Sequence, residues 1–371
     1  MRKFLLTLMA SLASFSAASA FWPEAADSSL EIGVGYRVDH LNWKTNADFS
    51  SSASCYSSGS GSGYSSGYSY GSGSENQDRG VSSELKWRSL RIWQLEAEGK
   101  YVTCDNIYLR AKADYGWITS GKNTDRDFSR NGEEVSTTEF NRTHSKTKGH
   151  VYDVDLAIGY EFKLCDDSFS IIPLIGYSWK GQHLKDHGLE TSYAVVPEVP
   201  VNSEVRSQSN YYSSDYNSYG SYSGYSYSGE HSKYNTRWNG PFVGFDFNYR
   251  FYCDWALFGT YEYHWGQYHA NGDWALRRLN NGQDLQNGFR HHAKRVSGND
   301  FDIGLKWDFC ECWTAYVKGE FQYFEAKHGR DRARVIQATA GNVKTDCYVS
   351  QKLEHVKWHS EAISLGLGAV F

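Results

Sequence analysis

The stretch TCDN (103–106) sets a thiol beside a carboxylate, and the arrangement returns in LCDD (164–167), YCDW (252–255) and FCEC (309–312). Cysteine attacks as the thiolate, which positive surroundings favour. Here the neighbours are Asp105, Asp166, Asp254 and Glu311, which repel a thiolate and argue against nucleophilic catalysis. Oxidative chemistry is what remains. Cys104, Cys165, Cys253 and the pair Cys310 and Cys312 fall in four separate turns, and a disulfide needs a short Cα–Cα separation, so these thiols pair with other molecules or stay reduced. Cys310 and Cys312 point the same way and are poor mutual partners. The other two cysteines, Cys55 and Cys347, lie in long polar stretches. Despite 13 histidines, no H-E-x-x-H or H-x-x-E-H spacing occurs, and His291–His292 fall in a polar segment that reads as loop, so no metal site is expected. No cofactor motif is present.

Disulfide chemistry needs an oxidising compartment. The first 20 residues, MRKFLLTLMASLASFSAASA, have a basic start, a short apolar run and an A-x-A site. That is a secretory signal peptide, too short in its apolar part to span a bilayer, followed by one domain over 21–371. Mean hydropathy is negative, yet aromatic residues reach 16%. A net charge of −5 with no basic stripe makes nucleic acid an unsuitable partner.

The elements that must position the turns alternate with period two. Leu30-Ile32-Val34-Tyr36-Val38 begins the series and Ile363-Leu365-Leu367-Ala369-Phe371 ends it. Between them the alternation predicts eight further strands, the second (84–101) changing parity through a bulge near Arg88. The fold class is therefore all-β: a ten-stranded antiparallel transmembrane barrel. Trp255 and Trp265 lie on one face; at about 3.3 Å per residue and a tilt of about 40° they bracket roughly 25 Å, the height of a lipid-facing band. The four tight turns are the cysteine turns and face the periplasm. Five long external loops are expected at about 44–82, 120–148, 182–239, 268–298 and 327–354. Closure makes the first and last strands neighbours, which predicts a Cys55–Cys347 disulfide outside.

The alternate positions face the lumen and carry both signs: Arg110, Lys112, Asp114, Asp153, Asp155, Asp246, Arg250, Glu262, His264, Asp302, Lys306, Lys318 and Glu320. Ten strands filled this way predict a lumen plugged by ion pairs or narrowly conducting. Tracts 50–74 and 207–229 are Ser/Tyr/Gly-rich and read as solvated surface loops or as an adhesive face for a host ligand.

The strand order resembles the omptin family of outer-membrane proteases. That resemblance implies a water activated between an Asp-x-Asp pair and an Asp-x-His pair. TDRDF supplies Asp125 and Asp127; Asp273 in NGDWALRR falls near the second acid, but Ala275 stands where the histidine belongs. His264 and His269 precede it. SELKWRSLRIWQ, CDNIYLRAKADYGW and the cysteine–acid turns are similar to the Protochlamydia-type outer-membrane proteins. This resemblance implies a porin-like, abundant envelope protein of a Gram-negative-type outer membrane, tethered by disulfides to cysteine-rich periplasmic partners. Three readings stand: porin or structural barrel, surface adhesin, and omptin-like protease.

Overall fold

The computed structural model describes residues 25–48, 53–58, 80–130, 137–165, 168–194, 226–274, 288–340 and 343–371. Residues 1–20, read from the sequence as a signal peptide, most of both Ser/Tyr/Gly tracts, Asp166 and Asp167 lie outside them. Ten long strands form the wall: β1 (Ala25–Asp48), β3 (Gly80–Thr103), β4 (Ile107–Arg130), β5 (Thr137–Tyr160), β7 (Phe169–Ala194), β8 (Ser226–Tyr252), β9 (Trp255–Trp274), β10 (Phe289–Cys310), β11 (Trp313–Ala340) and β12 (Val343–Val370). Each pairs antiparallel with the next, and β1 closes the ring on β12 from Ser29↔Val370 to Asn46↔Lys352. Two short strands are added: β2 (Ala53–Ser58) on β12 and β6 (Phe162–Leu164) on β7. Among the described residues, closure leaves the membrane-spanning wall no unpaired edge, as hydrocarbon demands of any spanning sheet.

One end is built from the cysteine turns. Asn106 adopts φ 62° and donates its backbone N–H to Thr103 O at 2.9 Å, while Ile107 N donates to Thr103 Oγ1 at 3.0 Å. Asn tolerates this left-handed conformation better than most residues. Cys165 takes φ 54°, with the N–H and the hydroxyl of Ser168 both donating to its carbonyl. The other two turns are two-residue hairpins, closed by Tyr252↔Trp255 and Cys310↔Trp313. All five turn cysteines are exposed.

Above these turns runs the apolar band. Ile32, Val34, Leu156, Ile158, Ile175, Leu305, Leu365 and Leu367 point outward and are exposed, while Glu31, Arg37, Asp114, Asp155 and Ser364 point inward and are buried. Trp93, Trp117, Trp179 and Trp265 edge the band on one side and Trp255, Trp307 and Trp313 on the other.

The strands do not stop at the far edge of the band, which corrects the loop boundaries read from the sequence. Segments such as 120–130, 182–194 and 289–298 continue the ladder with bulges. Beyond the band water replaces lipid outside, so apolar residues turn inward. In β1 the apolar positions pass from even (Val34, Tyr36, outward) to odd (Leu41, Trp43, inward) without any shift in the backbone's own alternation. In β3 the bulge at Ser89 (φ 51°) keeps both Leu85/Trp87 and Leu90/Ile92 inside, the parity change predicted near Arg88. In β5, Gly149 (φ 146°) abuts the carbonyl of His183, and a Cβ there would lie 1.8 Å from that oxygen, so the site requires glycine.

Beyond the band the inward apolar residues form a cluster that includes Trp43, Trp87, Tyr234, Trp238, Tyr268, Phe289, Phe324 and Trp358, while a smaller one (Val102, Tyr108, Ile172, Leu174 and Phe242) lies within the barrel nearer the turns. Trp87 stacks on Tyr234 at 5.0 Å and Phe324 on Trp358 at 5.1 Å. His291, read from the sequence as a loop residue, lies on β10 inside the larger cluster. Its Nδ1 meets Tyr234 Oη at 2.7 Å, Tyr234 and Tyr268 share a hydroxyl hydrogen bond of 2.6 Å, and Trp43 packs edge-on at 4.8 Å. Burial pushes the imidazole down to about 3. A histidine near its ordinary value in the unfolded chain takes up a proton first. Its contribution to stability is therefore full above about pH 6.5 and drains away as pH falls toward 3. The urea midpoint of the detergent-solubilised barrel is expected to drop between about pH 7 and about pH 4, with a visibly flatter profile in His291→Phe. Parallel profiles would exclude His291 as a source of the acid sensitivity.

Candidate functional site: lumen and outer mouth

The candidate residues occupy two places, the lumen within the band and the mouth beyond the aromatic cluster. In the lumen, period-two alternation aims one residue in two from every strand at a common axis, and the charges pair across it. Arg37 donates from Nε to Asp39 and from Nη1 to Asp153, both at 2.7 Å. Arg110 reaches Asp246 at 2.6 Å and also Glu262, and Tyr108 Oη donates to Asp246 at 2.7 Å. Lys112 bridges Asp302 (3.1 Å) and Glu320 (2.9 Å), with Asp114 at 3.8 Å. Lys180 joins Asp300 (3.0 Å) to Asp155 (3.4 Å), Lys318 joins Glu96 (3.0 Å) to Glu320 (2.6 Å), and Lys306 pairs with Glu31.

These side chains are nearly dry: Asp39 is 0% exposed, Asp153 1% and Lys180 1%. Of the lumen residues picked from the sequence, Arg110, Lys112, Asp114, Asp153, Asp155, Asp246, Glu262, His264, Asp302, Lys318 and Glu320 are all buried there. Arg250 is the exception in position: it sits at the turn-end rim, half-exposed, pairing with Asp308 at 2.9 Å and donating to Cys253 O. Parity alone could not say how far along the axis each charge lies. Arg37, Asp39, Glu96 and Lys180 belong to the same lattice, and the signal that reveals them is that same inward parity on strands whose charges were not gathered into the lumen.

At the mouth, Asp125 and Asp127 lie on β4. Asp125 is buried on the inner face; Asp127, half-buried, accepts from Ser83 Oγ at 2.6 Å and Asn141 Nδ2 at 2.9 Å. Asp273 is not brought to them. On β9 the inward residues are Tyr268, Ala270 and Gly272, so Asp273 points outward, opposite Lys233 of β8. His269 is outward too, its Nδ1 3.1 Å from Nδ1 of His292, and His264 lies deep in the lumen beside Glu262. The acid–imidazole pair inside the mouth is another one, Asp331 with His291 (Oδ1 to Nε2, 3.5 Å), and the side chain of His291 is wholly buried.

A second buried acid was not singled out from the sequence. Asp186 on β7 accepts hydrogen bonds from Trp87 (β3), Asn123 (β4), Thr147 (β5) and Ser232 (β8) at 2.5–3.1 Å. Burial raises its carboxyl above the ordinary range while these neutral donors pull it back. The five strands it ties lie side by side in the wall, so Asp186 staples one flank of the extension.

The fold has known counterparts. It is similar to the outer membrane protease OmpT of Escherichia coli, with 13% identity, 94% of this chain and 97% of OmpT covered, and a TM-score of 0.59. The translocator domain of the autotransporter NalP from Neisseria meningitidis matches at 10% identity over 99% of this chain and 97% of that one, with a TM-score of 0.30. No curated protein matches the sequence. The likeness to OmpT is one of fold: a ten-stranded outer-membrane barrel. In sequence, residues 31–371 match the model of the Protochlamydia outer membrane protein family, and the chain, an integral β-barrel of the outer membrane, belongs to that family.

Proposed function

We propose that the protein is a closed barrel that serves the envelope as a scaffold rather than as a pore. One observation carries this reading: the lumen is filled twice over, by the ion-pair lattice inside the band and by the aromatic cluster above it. Water follows a polar lumen only where side chains leave room, and ten strands lined with long charged residues leave little. The filled cylinder is a rigid post for the long strand extensions outside. Its exposed cysteines line the periplasmic rim, where they link to cysteine-rich partners or to neighbouring barrels. Outside, the register sets Cys55 of β2 opposite Cys347 of β12, the arrangement an intrachain disulfide across the β1–β12 seam would use.

Two outcomes test this. The refolded barrel in a planar bilayer is expected to stay silent at low voltage; steady, discrete openings would overturn the scaffold reading in favour of a porin. Envelope fractions run without reductant are expected to carry the protein in high-mass species that collapse to monomer with dithiothreitol. Replacing Cys104, Cys165, Cys253, Cys310 and Cys312 together by serine should abolish those species, and peptide mapping of the remaining monomer should recover Cys55 joined to Cys347. Monomer alone without reductant would remove the tether.

A second reading is omptin-like proteolysis, favoured by the OmpT fold and by Asp125 and Asp127 inside the mouth. It needs an imidazole that a peptide can reach, and His291 is covered by aromatic rings. The protein is expected to leave basic peptides uncut. Cleavage lost on Asp125→Asn with Asp127→Asn would reverse that conclusion.

A further inference from the structure

Where the ion-pair lattice meets the aromatic cluster, Glu262 and His264 of β9 and Asp300 of β10 converge, each offering a donor atom within 4.8 Å of the others. All three are at least nine-tenths buried, at 3%, 2% and 4% exposure. The arrangement follows from the sheet itself: residues 262 and 264 share the inner face, and Asp300 is the register partner of Glu262 on the adjoining strand.

The cluster is incomplete as it stands. Glu262 Oε2, His264 Nε2 and Asp300 Oδ1 are buried atoms that have no hydrogen-bond partner. Nε2 lies 2.9 Å from Glu262 Oε2 without hydrogen-bond alignment. The other oxygens of the acids are taken: Glu262 Oε1 by Arg110, and Asp300 Oδ2 by Lys180 and by Gln322 Nε2 at 3.0 Å. The imidazole is held in place. Ser178 Oγ lies 3.1 Å from His264 Nδ1 and donates to Gly240 O at 3.4 Å, which leaves Nε2 as the ring nitrogen beside Glu262 Oε2. Phe242 and Phe324 flank the ring at 4.9 and 5.1 Å. Three buried polar atoms without hydrogen-bond partners lie side by side here, and an ion held among them would satisfy all three.

The local charge balance points the same way. Arg110 and Lys180 are the two cations in direct contact with this group, and they face four carboxylates, Asp155, Asp246, Glu262 and Asp300. The remaining acid near Arg110, Glu98 at 4.0 Å, has Lys100 as its closer partner at 3.3 Å. Carboxylates outnumber cations in this group, which favours a bound cation among them. We propose that Glu262, His264 and Asp300 bind a divalent transition-metal ion, one imidazole nitrogen and two carboxylate oxygens forming a mixed donor set suited to zinc or manganese. Ser178 is the positioning residue that orients the imidazole. The ion sits between charged lattice and aromatic cluster and locks β9 to β10 from inside.

The site is closed in the finished barrel, so the metal enters as the chain folds. The mature chain is refolded from urea with Zn2+, passed over a chelating column, and its metal measured. One tightly held Zn2+ per chain is expected for the wild type. His264→Gln and Asp300→Asn should bind at least about 10-fold more weakly, as should Ser178→Ala, which leaves all three ligands and their ion pairs in place. Refolding with Co2+ should give visible ligand-field absorption that His264→Gln abolishes. Heat-modifiable gel mobility reports folding of each variant, and Ser178→Ala decides if the others fail to fold. No retained metal in the wild type, or retention unchanged in folded Ser178→Ala and His264→Gln, overturns the proposal. So does retention that is lost instead in His269→Ala with His292→Ala, which would place the ion on the outer wall.

Discussion

The structure is organised by one boundary, the level at which hydrocarbon gives way to water outside the cylinder. Below it the solvent outside is apolar, so Ile, Leu, Phe and Trp face out and charges face in. Above it the solvent outside is water, so the rule reverses and Leu41, Trp43, Trp238 and Trp358 face in. The wall is continuous across the boundary because β-pairing does not depend on which face is apolar. A soluble barrel with a conventional core thus sits coaxially on a membrane barrel with a polar one.

This inversion explains how the lumen is filled. Burying charge costs several kcal/mol per ion even after relaxation, and attraction recovers it only with good geometry and further hydrogen bonds. The lattice meets that condition by sharing: Lys112, Lys180, Lys318 and Arg110 each bridge two acids, and Gln94 and Tyr108 donate where cations do not reach. Such a network is poor as a source of net stability and strong as a constraint. Removing one partner leaves a buried charge uncompensated, at about 3–5 kcal/mol, so the set holds the strand register as a unit.

Likeness to OmpT shows what a common cylinder does and does not carry. Strand number and closure are shared properties of a wall that must satisfy every backbone group. Chemistry depends on which residues the last few ångströms of each strand turn inward, and here Asp273 and His269 turn outward while His291 is sealed under rings. Fold and function separate at that level.

The sequence by itself determined the ten-fold repeat, the closed antiparallel wall, the cysteine turns, the bulge near Arg88 and the inward parity of most lumen charges. Each is local, set by period-two alternation or by turn residues such as Asn106 within a few positions. It did not determine where the strands end. The extensions in β4, β7 and β10 read as loops because their apolar residues lie inside and the bulges that reset parity look, in one dimension, like the end of a strand. Nor did it reveal the partners of Asp186, His264 and His291, which come from strands separated by dozens of residues. Those meetings depend on barrel closure and strand stagger, and only the tertiary structure supplies them, because register relates residues that the chain keeps far apart.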